Sequence, residues 1–369
     1  MTRPAVPVYG VSTLADLLPS FGAHLGVPGA VDVLGLPDAH RYLLVLIDGL
    51  GWHQLKDHAA EAPYLSGLAV RSITSGVPST TATSITSIGT GMPPGGHGIA
   101  GYSFWFPQAH TVLNTLRWPA DLSGLDVQPQ LTYLERLVSA GVSTSTIAPA
   151  HFAGSGLTTA ALRGPTFLPV TDERNHGRRV ELAARAVAAG ERSFGYFYER
   201  QLDHAGHVHG MGSRQWLAEL VAADALVAAL RAALPDDVTL VITGDHGMVN
   251  VPADRRLLVE DEPYLMADVM AFAGEGRFRQ LMTPKPTEVA RRWQERLGSR
   301  AWVRTRQEAI DDRWFGEVQP RLADRFGDVL VAMADDGAVL SRTLPRELDL
   351  VGMHGSLTPA ELAVPLLVA

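Results

Sequence analysis

Three aspartates and three histidines are singled out in this 369-residue chain by where they fall. Asp48 closes the apolar run YLLVLID (42–48), and Asp245 with His246 follows the apolar run VTLVIT. Asp203 and His207 lie in LDHAGH, and His354 lies in the polar turn GMHG. Apolar runs of this kind read as buried strands. Adjacent carboxylate and imidazole groups at a strand end are costly to desolvate without a partner. Such ligands, with no sulfur among them, suit hard or borderline divalent ions such as zinc or manganese. Six suffice for two ions, and two ions can clamp both sides of an in-line phosphoryl displacement. Singly, D-x-x-x-H and a lone histidine say little, and an aspartate after a strand is also a turn former. Their joint position at one predicted rim is what makes them a set.

A second signal is GVPSTTATSITSIGTG (76–91), in which eight of sixteen residues are Ser or Thr and none is charged. Such composition often marks a linker, but Ala82, Ile85 and Ile88 recur at helical spacing and predict a helix over 81–89. Amides at a helix N-terminus point at a bound anion, and the helix dipole favours negative charge there. A bound metal acidifies a hydroxyl, as zinc lowers the pKa of water from about 15.7 to roughly 7. One Ser or Thr at 79–81 is therefore a candidate nucleophile. The structural alternative is a hydroxyl-rich N-cap and turn.

The elements that must position these groups alternate. Strands are expected at 42–48, 142–149, 193–199 and 238–245, and helices at 131–141, 178–190 and 213–234, the last capped by Ser213. This order predicts an α/β fold, a mostly parallel central sheet with helices on both faces, whose ligands bind beyond the carboxyl ends of the strands. Residues 255–345 carry more charge and predict a smaller inserted α+β lobe, with a helix near 286–297 and a strand near 328–333. The catalytic core is then 1–254 plus 346–369. No internal repeat is evident.

Composition sets outer bounds. Apolar residues make up 46% of the chain and charged residues 19%, values that suit a globular protein with a sizeable core. The net charge of −8 argues against general binding to nucleic-acid polymers. With no cysteine, disulfides, thiolate metal sites and a cysteine nucleophile are excluded. No signal peptide and no membrane span is evident, so the expected location is cytoplasmic. There is no G-x-S-x-G elbow, and GLG at 49–51 lacks the third glycine of a dinucleotide fingerprint.

Together these pieces resemble the type I phosphodiesterase/nucleotide pyrophosphatase group of the alkaline phosphatase superfamily. The group's strand ending in Asp reads here LLVLIDGLG, its P-[ST]-x-T stretch PSTT (78–81), and its T-G-x-x-P-x-x-H-G stretch TGMPPGGHG. Its D-x-x-G-H reads DHAGH, its D-H-G-M reads TGDHGMV, and its late H-G reads MHG, all in the family's order across residues 42–355. The resemblance implies an alkaline-phosphatase-like fold and hydrolysis of a small-molecule phosphate ester or nucleotide at two divalent ions, usually zinc. It makes Thr81 the nucleophile, with Thr80 its near competitor. Asp48, Asp245, His246 and Thr81 would hold one ion, and Asp203, His207 and His354 the other. A covalent phosphoryl- or nucleotidyl-threonine would form and be released by water.

His97 matches a position read as structural, and His53, His204 and His209 are expected to be solvated or to lie behind the site. Family members carry Asn three residues after the nucleophile, against a phosphoryl oxygen. Here Ser84 stands there, a shorter substrate contact with one donor instead of two. Tyr102, Phe104, Trp105 and Phe106 follow the helix and are candidates to line a nucleobase slot. Other readings keep the site and change the reaction: a phosphomonoesterase, phosphonate hydrolase or phosphomutase. No Arg lies in 76–91, which favours a diester over a monoester. A sulfatase is disfavoured by the missing C/S-x-P-x-R pattern. A non-catalytic, metal-stabilised binding protein is the alternative of another class.

Overall fold

In the computed structural model, which describes residues 3–369, seven strands build the central sheet. They are β1 (Arg41–Ile47), β2 (Ala69–Thr74), β3 (Ser143–Pro149), β4 (Thr166–Val170), β5 (Ser193–Glu199), β6 (Val238–Thr243) and β7 (Ala363–Val368). Their spatial order is β2-β7-β6-β1-β5-β3-β4. β1 runs parallel to β5 and β6, and β3 runs parallel to β4 and β5. Only β7 is reversed, pairing antiparallel with β2 and β6.

Both faces of this sheet are covered, as a parallel sheet requires. Along β1, Leu44 and Leu46 join one apolar cluster with Phe21 and Ile88, while Leu43, Val45 and Ile47 join another with Trp216 and Leu220. The long helix Arg214–Ala233 supplies the second cluster, and Ser213 caps it by accepting the Trp216 amide at 3.2 Å. The strands expected near 42, 142, 193 and 238 are all observed within two residues of their expected ends. The sequence reading did not anticipate β2, β4 or β7.

Residues 271–333 form a second sheet of four antiparallel strands, in the order Ala271–Glu275, Phe278–Met282, Val329–Met333, Ala301–Thr305. The helix Pro286–Leu297 packs on one face through Val289, Trp293 and Leu297. On the other face, Phe278, Trp302, Leu330 and Ala332 join the same cluster as Leu44 and Leu46. The small sheet is thus continuous with the main core. Among the described residues, no helix is long and apolar enough to cross a membrane.

A buried ion pair also joins the two sheets. Arg277, in the first turn of the small sheet, donates from Nε and Nη2 to the two carboxylate oxygens of Glu361, both at 2.7 Å, and both side chains are fully buried. Arg277 Nη1 donates to the Asp335 and Gly337 carbonyls at 2.7 and 2.6 Å. Removing one partner of such a pair strands the other's charge. Glu361→Ala is therefore expected to lower the unfolding free energy by about 3–5 kcal/mol. Urea denaturation checks this; a loss below about 1 kcal/mol, the scale of an exposed pair, would mean the join is dispensable.

Candidate metal centre and active site

The six singled-out residues meet at the carboxyl ends of the central strands. Asp48 directly follows β1, and Asp245 and His246 follow β6. Gly49 makes the turn after Asp48 with φ +76°, and a Cβ there would lie 3.0 Å from Asp203 Cα. Asp203 and His207 are not on a loop, as a D-x-x-x-H in isolation suggests. They lie four residues apart on one face of the helix Gln201–His209, with Asp203 Oδ2 3.3 Å from His207 Nε2. His354 follows the short strand Gly352–Met353.

All three histidines are oriented the same way. The Nδ1 of His246 lies 2.9 Å from the Gly247 carbonyl, that of His207 2.8 Å from the Gly352 carbonyl, and that of His354 2.9 Å from the Ser79 carbonyl. A carbonyl only accepts, so each Nδ1 donates there and each Nε2 faces inward, where a neutral imidazole offers a lone pair. The Nε2 atoms of His207 and His354 face each other at 3.3 Å. His246 stacks on His354 at a ring-centroid distance of 3.6 Å, so the two halves of the site abut.

Ligand atoms of Asp48, Asp245 and His246 lie within 4.8 Å of one another, as do those of Asp203, His246 and His354. His207 is not a member of either group by that measure, but its Nε2 lies 3.3 Å from both Asp203 Oδ2 and His354 Nε2. No lysine or arginine forms an ion pair with Asp48, Asp203 or Asp245 among the described residues, and Asp203 Oδ1 and Asp245 Oδ2 are buried without a hydrogen-bond partner. Burial, then repulsion from Asp245 and Asp203, pushes the Asp48 carboxyl well above the usual carboxylate range. Burial, then the neighbouring His246 and His207, pushes His354 well below the usual imidazole range. Converging lone pairs, unpaired carboxylates and a neutral imidazole form a donor set that a divalent cation satisfies.

Thr81 begins the helix Thr81–Thr90, and its Oγ1 lies 3.2 Å from His246 Nε2 and 3.4 Å from Asp48 Oδ1. Thr80 is turned elsewhere, donating to Glu275 Oε2 at 3.2 Å. The hydroxyl-rich stretch is a buried helix. Thr83 donates to the Ile99 carbonyl, Thr86 to Ala82 and Thr90 to Thr86, while Ser87 bonds His97 Nε2 at 3.0 Å. Small side chains that satisfy their own hydroxyls let this helix enter the core, at a net gain of about 1 kcal/mol per bond. His97 is buried there, its Nδ1 accepting the Ile99 amide, and burial pushes its pKa down to about 3.

Two expectations need correction. Ser84 is fully buried, does not line the cavity, and donates to the Asp245 carbonyl at 2.8 Å, so it supports a strand end instead of touching substrate. Of the four aromatics, only Tyr102 lines the cavity, while Phe104 and Phe106 are core residues. His204 lines the cavity, whereas His53 and His209 are exposed.

Tyr198 and Glu275 were missed by the sequence reading. The Tyr198 hydroxyl donates to Asp48 Oδ2, and its position two residues from Tyr196 in the strand YFYE was an available signal. Glu275 comes from the small sheet and also lines the cavity, and burial followed by repulsion from Glu347 pushes its carboxyl well above the usual range. Nothing local in the sequence marks it. Asp48, Thr81, Asp203, His207 and His354 line one cavity of about 560 Å³, while Asp245 and His246 are fully buried and do not line it.

Fold and site together define a phosphoester hydrolase of the alkaline phosphatase superfamily. The family model for type I phosphodiesterase/nucleotide pyrophosphatase matches residues 42–357, and the chain belongs to that family. Among curated proteins, none is significantly similar in sequence. An inactive threonine-to-alanine variant of murine ectonucleotide pyrophosphatase/phosphodiesterase 5, in complex with AMP, superposes with a TM-score of 0.71 at 18% identity, covering 89% of this chain and 87% of that one. Phosphonoacetate hydrolase from Sinorhizobium meliloti 1021, in complex with phosphonoacetate, gives 0.70 at 19% identity, covering 90% of each chain.

A divalent cation is expected to raise the thermal unfolding midpoint of chelated protein, because binding to the folded state alone stabilises it. Asp245→Asn keeps an acceptor for the Gly49 amide, now 2.9 Å away, but removes the charge. This variant should lose most of the zinc-induced shift. An undiminished shift would remove Asp245 from the ligand set.

Proposed function

We propose that this chain is a metal-dependent phosphodiesterase or nucleotide pyrophosphatase that works through a covalent phosphothreonine at Thr81. The observation that carries the reading is the placement of Thr81 Oγ1 at a helix N-terminus, within 3.4 Å of both Asp48 Oδ1 and His246 Nε2. Asp48, Asp245 and His246, with Thr81, would hold one ion, and Asp203, His207 and His354 the other. The all-nitrogen-and-oxygen donor set suits zinc, with manganese as the alternative. When bound, the ions supply Lewis-acid charge to the phosphoryl group and lower the pKa of a hydroxyl.

The chain's own groups account for the remaining steps. Amides of the first turn of the Thr81–Thr90 helix have no intrahelical partners and face a phosphoryl oxygen. Thr81 Oγ1 forms a bond to phosphorus as the bond to the leaving oxygen breaks, and its proton departs toward the surrounding acceptors. Water then attacks phosphorus from the side the leaving group vacated, and the threonyl ester bond breaks. Tyr198 and the Gly49 turn hold Asp48 and Asp203 in place throughout.

A diester is favoured over a monoester because free cations are scarce. No lysine lines the cavity; of the two arginines that do, Arg200 is engaged by both oxygens of Glu173 at 2.8 Å, which leaves the exposed Arg346 as the one lining cation without an ion pair among the described residues. The likeness to phosphonoacetate hydrolase keeps a phosphonate as the second reading.

The test is hydrolysis of bis-p-nitrophenyl phosphate beside p-nitrophenyl phosphate, after chelation and add-back of zinc or manganese. Metal-dependent cleavage favouring the diester is expected. Thr81→Ala should lower turnover by about two orders of magnitude or more while still binding metal. Parental turnover in that variant would rule out the threonine, and a preference for the monoester would move the chain to the phosphatase branch.

A further inference from the structure

Beyond Asp48 and Thr81 the cavity runs over β3 and β5, and its floor there holds two hydroxyls that no group in the chain satisfies. Thr146 and Tyr196 are direct neighbours in the β3–β5 ladder, so their side chains stand side by side on one face. Both line the cavity and are only 2% and 1% exposed. Neither Thr146 Oγ1 nor the Tyr196 hydroxyl has a hydrogen-bond partner. Tyr198, two residues on, already gives its hydroxyl to Asp48. The walls of this arm are hydrocarbon and aromatic, among them Ile85, Phe152, Leu157 and Phe167.

An unsatisfied buried hydroxyl costs about 1–3 kcal/mol. A floor with only a packing role would be better served by Val and Phe, which fill similar space without that cost. We infer that Thr146 and Tyr196 form a recognition point that reads the hydrogen-bonding edge of a ring carried by the phosphoester's organic substituent. The inference rests on the phosphoester-hydrolase reading. A hydrocarbon chain would satisfy the walls but leave both hydroxyls bare, whereas a heterocycle presents a flat face to the aromatic walls and acceptors to the floor. Burial, then nearby Asp245 and Asp48, pushes the Tyr196 phenol well above its ordinary range, so it remains a donor. Sites built to bond a polar group discriminate strongly against analogues that lack it.

The experiment uses zinc-loaded parent, Tyr196→Phe, Thr146→Val and the double variant. Two substrates share a leaving group: the p-nitrophenyl ester of thymidylate carries a heterocycle, and p-nitrophenyl phenylphosphonate carries a hydrocarbon ring. The double variant should raise KM for the thymidylate ester, relative to the phenylphosphonate, by about tenfold or more. Calorimetric binding of thymidylate should weaken in parallel. Without ligand, the unfolding midpoint should hold or rise, since the changes remove unsatisfied hydroxyls. An unmoved KM ratio in folded variants overturns the inference. So does a fall in the midpoint without ligand, which would show the hydroxyls to be structural. Failure of the parent to cleave either ester would count against the phosphoester reading, while thymidylate binding would still decide the role of the two hydroxyls.

Discussion

The arrangement depends on one carboxylate, that of Glu361. It accepts both arms of Arg277 from the small sheet, the Ser356 amide at 3.0 Å and the Thr358 hydroxyl, while its own carbonyl accepts the Gly247 amide at 2.8 Å. Ser356 lies two residues after His354, and Gly247 directly follows His246. A single buried residue therefore fixes the segments bearing two of the three imidazoles and anchors the sheet that supplies Glu275. Gly247 is required by the same join, because a Cβ there would lie 2.0 Å from the Ala360 carbonyl. Buried ion pairs contribute little net stability, since desolvation offsets most of their attraction. What this pair contributes is a defined position for groups distant in sequence.

Around that anchor the site is arranged against its own electrostatics. Three aspartates approach one another with no lysine or arginine paired to them among the described residues, and each imidazole turns its Nδ1 to a backbone carbonyl. The fold holds these groups in place through main-chain bonds and dense packing, not through mutual attraction. Divalent cations held by such a set would supply preorganised positive charge, the kind that stabilises an anionic transition state without reorganisation at the moment of reaction.

Much of this was legible in the sequence because the signals were local. Continuous apolar runs located β1, β5 and β6, and the polar residues that follow β1 and β6 gave Asp48, Asp245 and His246. Helical spacing narrowed the candidate hydroxyls to residues 79–81, and the family resemblance singled out Thr81 among them. What escaped depends on contacts between distant residues. TFLPV and AVPLLV contain proline, which weakens a strand signal, yet both pair within the sheet as β4 and β7. Ser84 was assigned to substrate by its offset from Thr81, but the helix turns it onto Asp245. Phe104 and Phe106 belong to a hairpin that turns both of them onto the core. Glu275 meets Thr80 across 195 residues, a contact no local pattern reports.

The position of β7 has a consequence for how the molecule is made. Residues 363–368 lie between β2 and β6 inside the sheet, although they are the last of its seven strands in chain order. Until they emerge from the ribosome, β2 lacks its partner in the sheet and β6 has an open edge, so the nascent sheet carries unpaired strands until its seventh strand is made. His354 and Glu361 shortly precede it in the chain. Closure of the sheet, the anchor and the last imidazole therefore come together, and an unfinished chain holds neither a closed core nor a complete set of metal-binding groups.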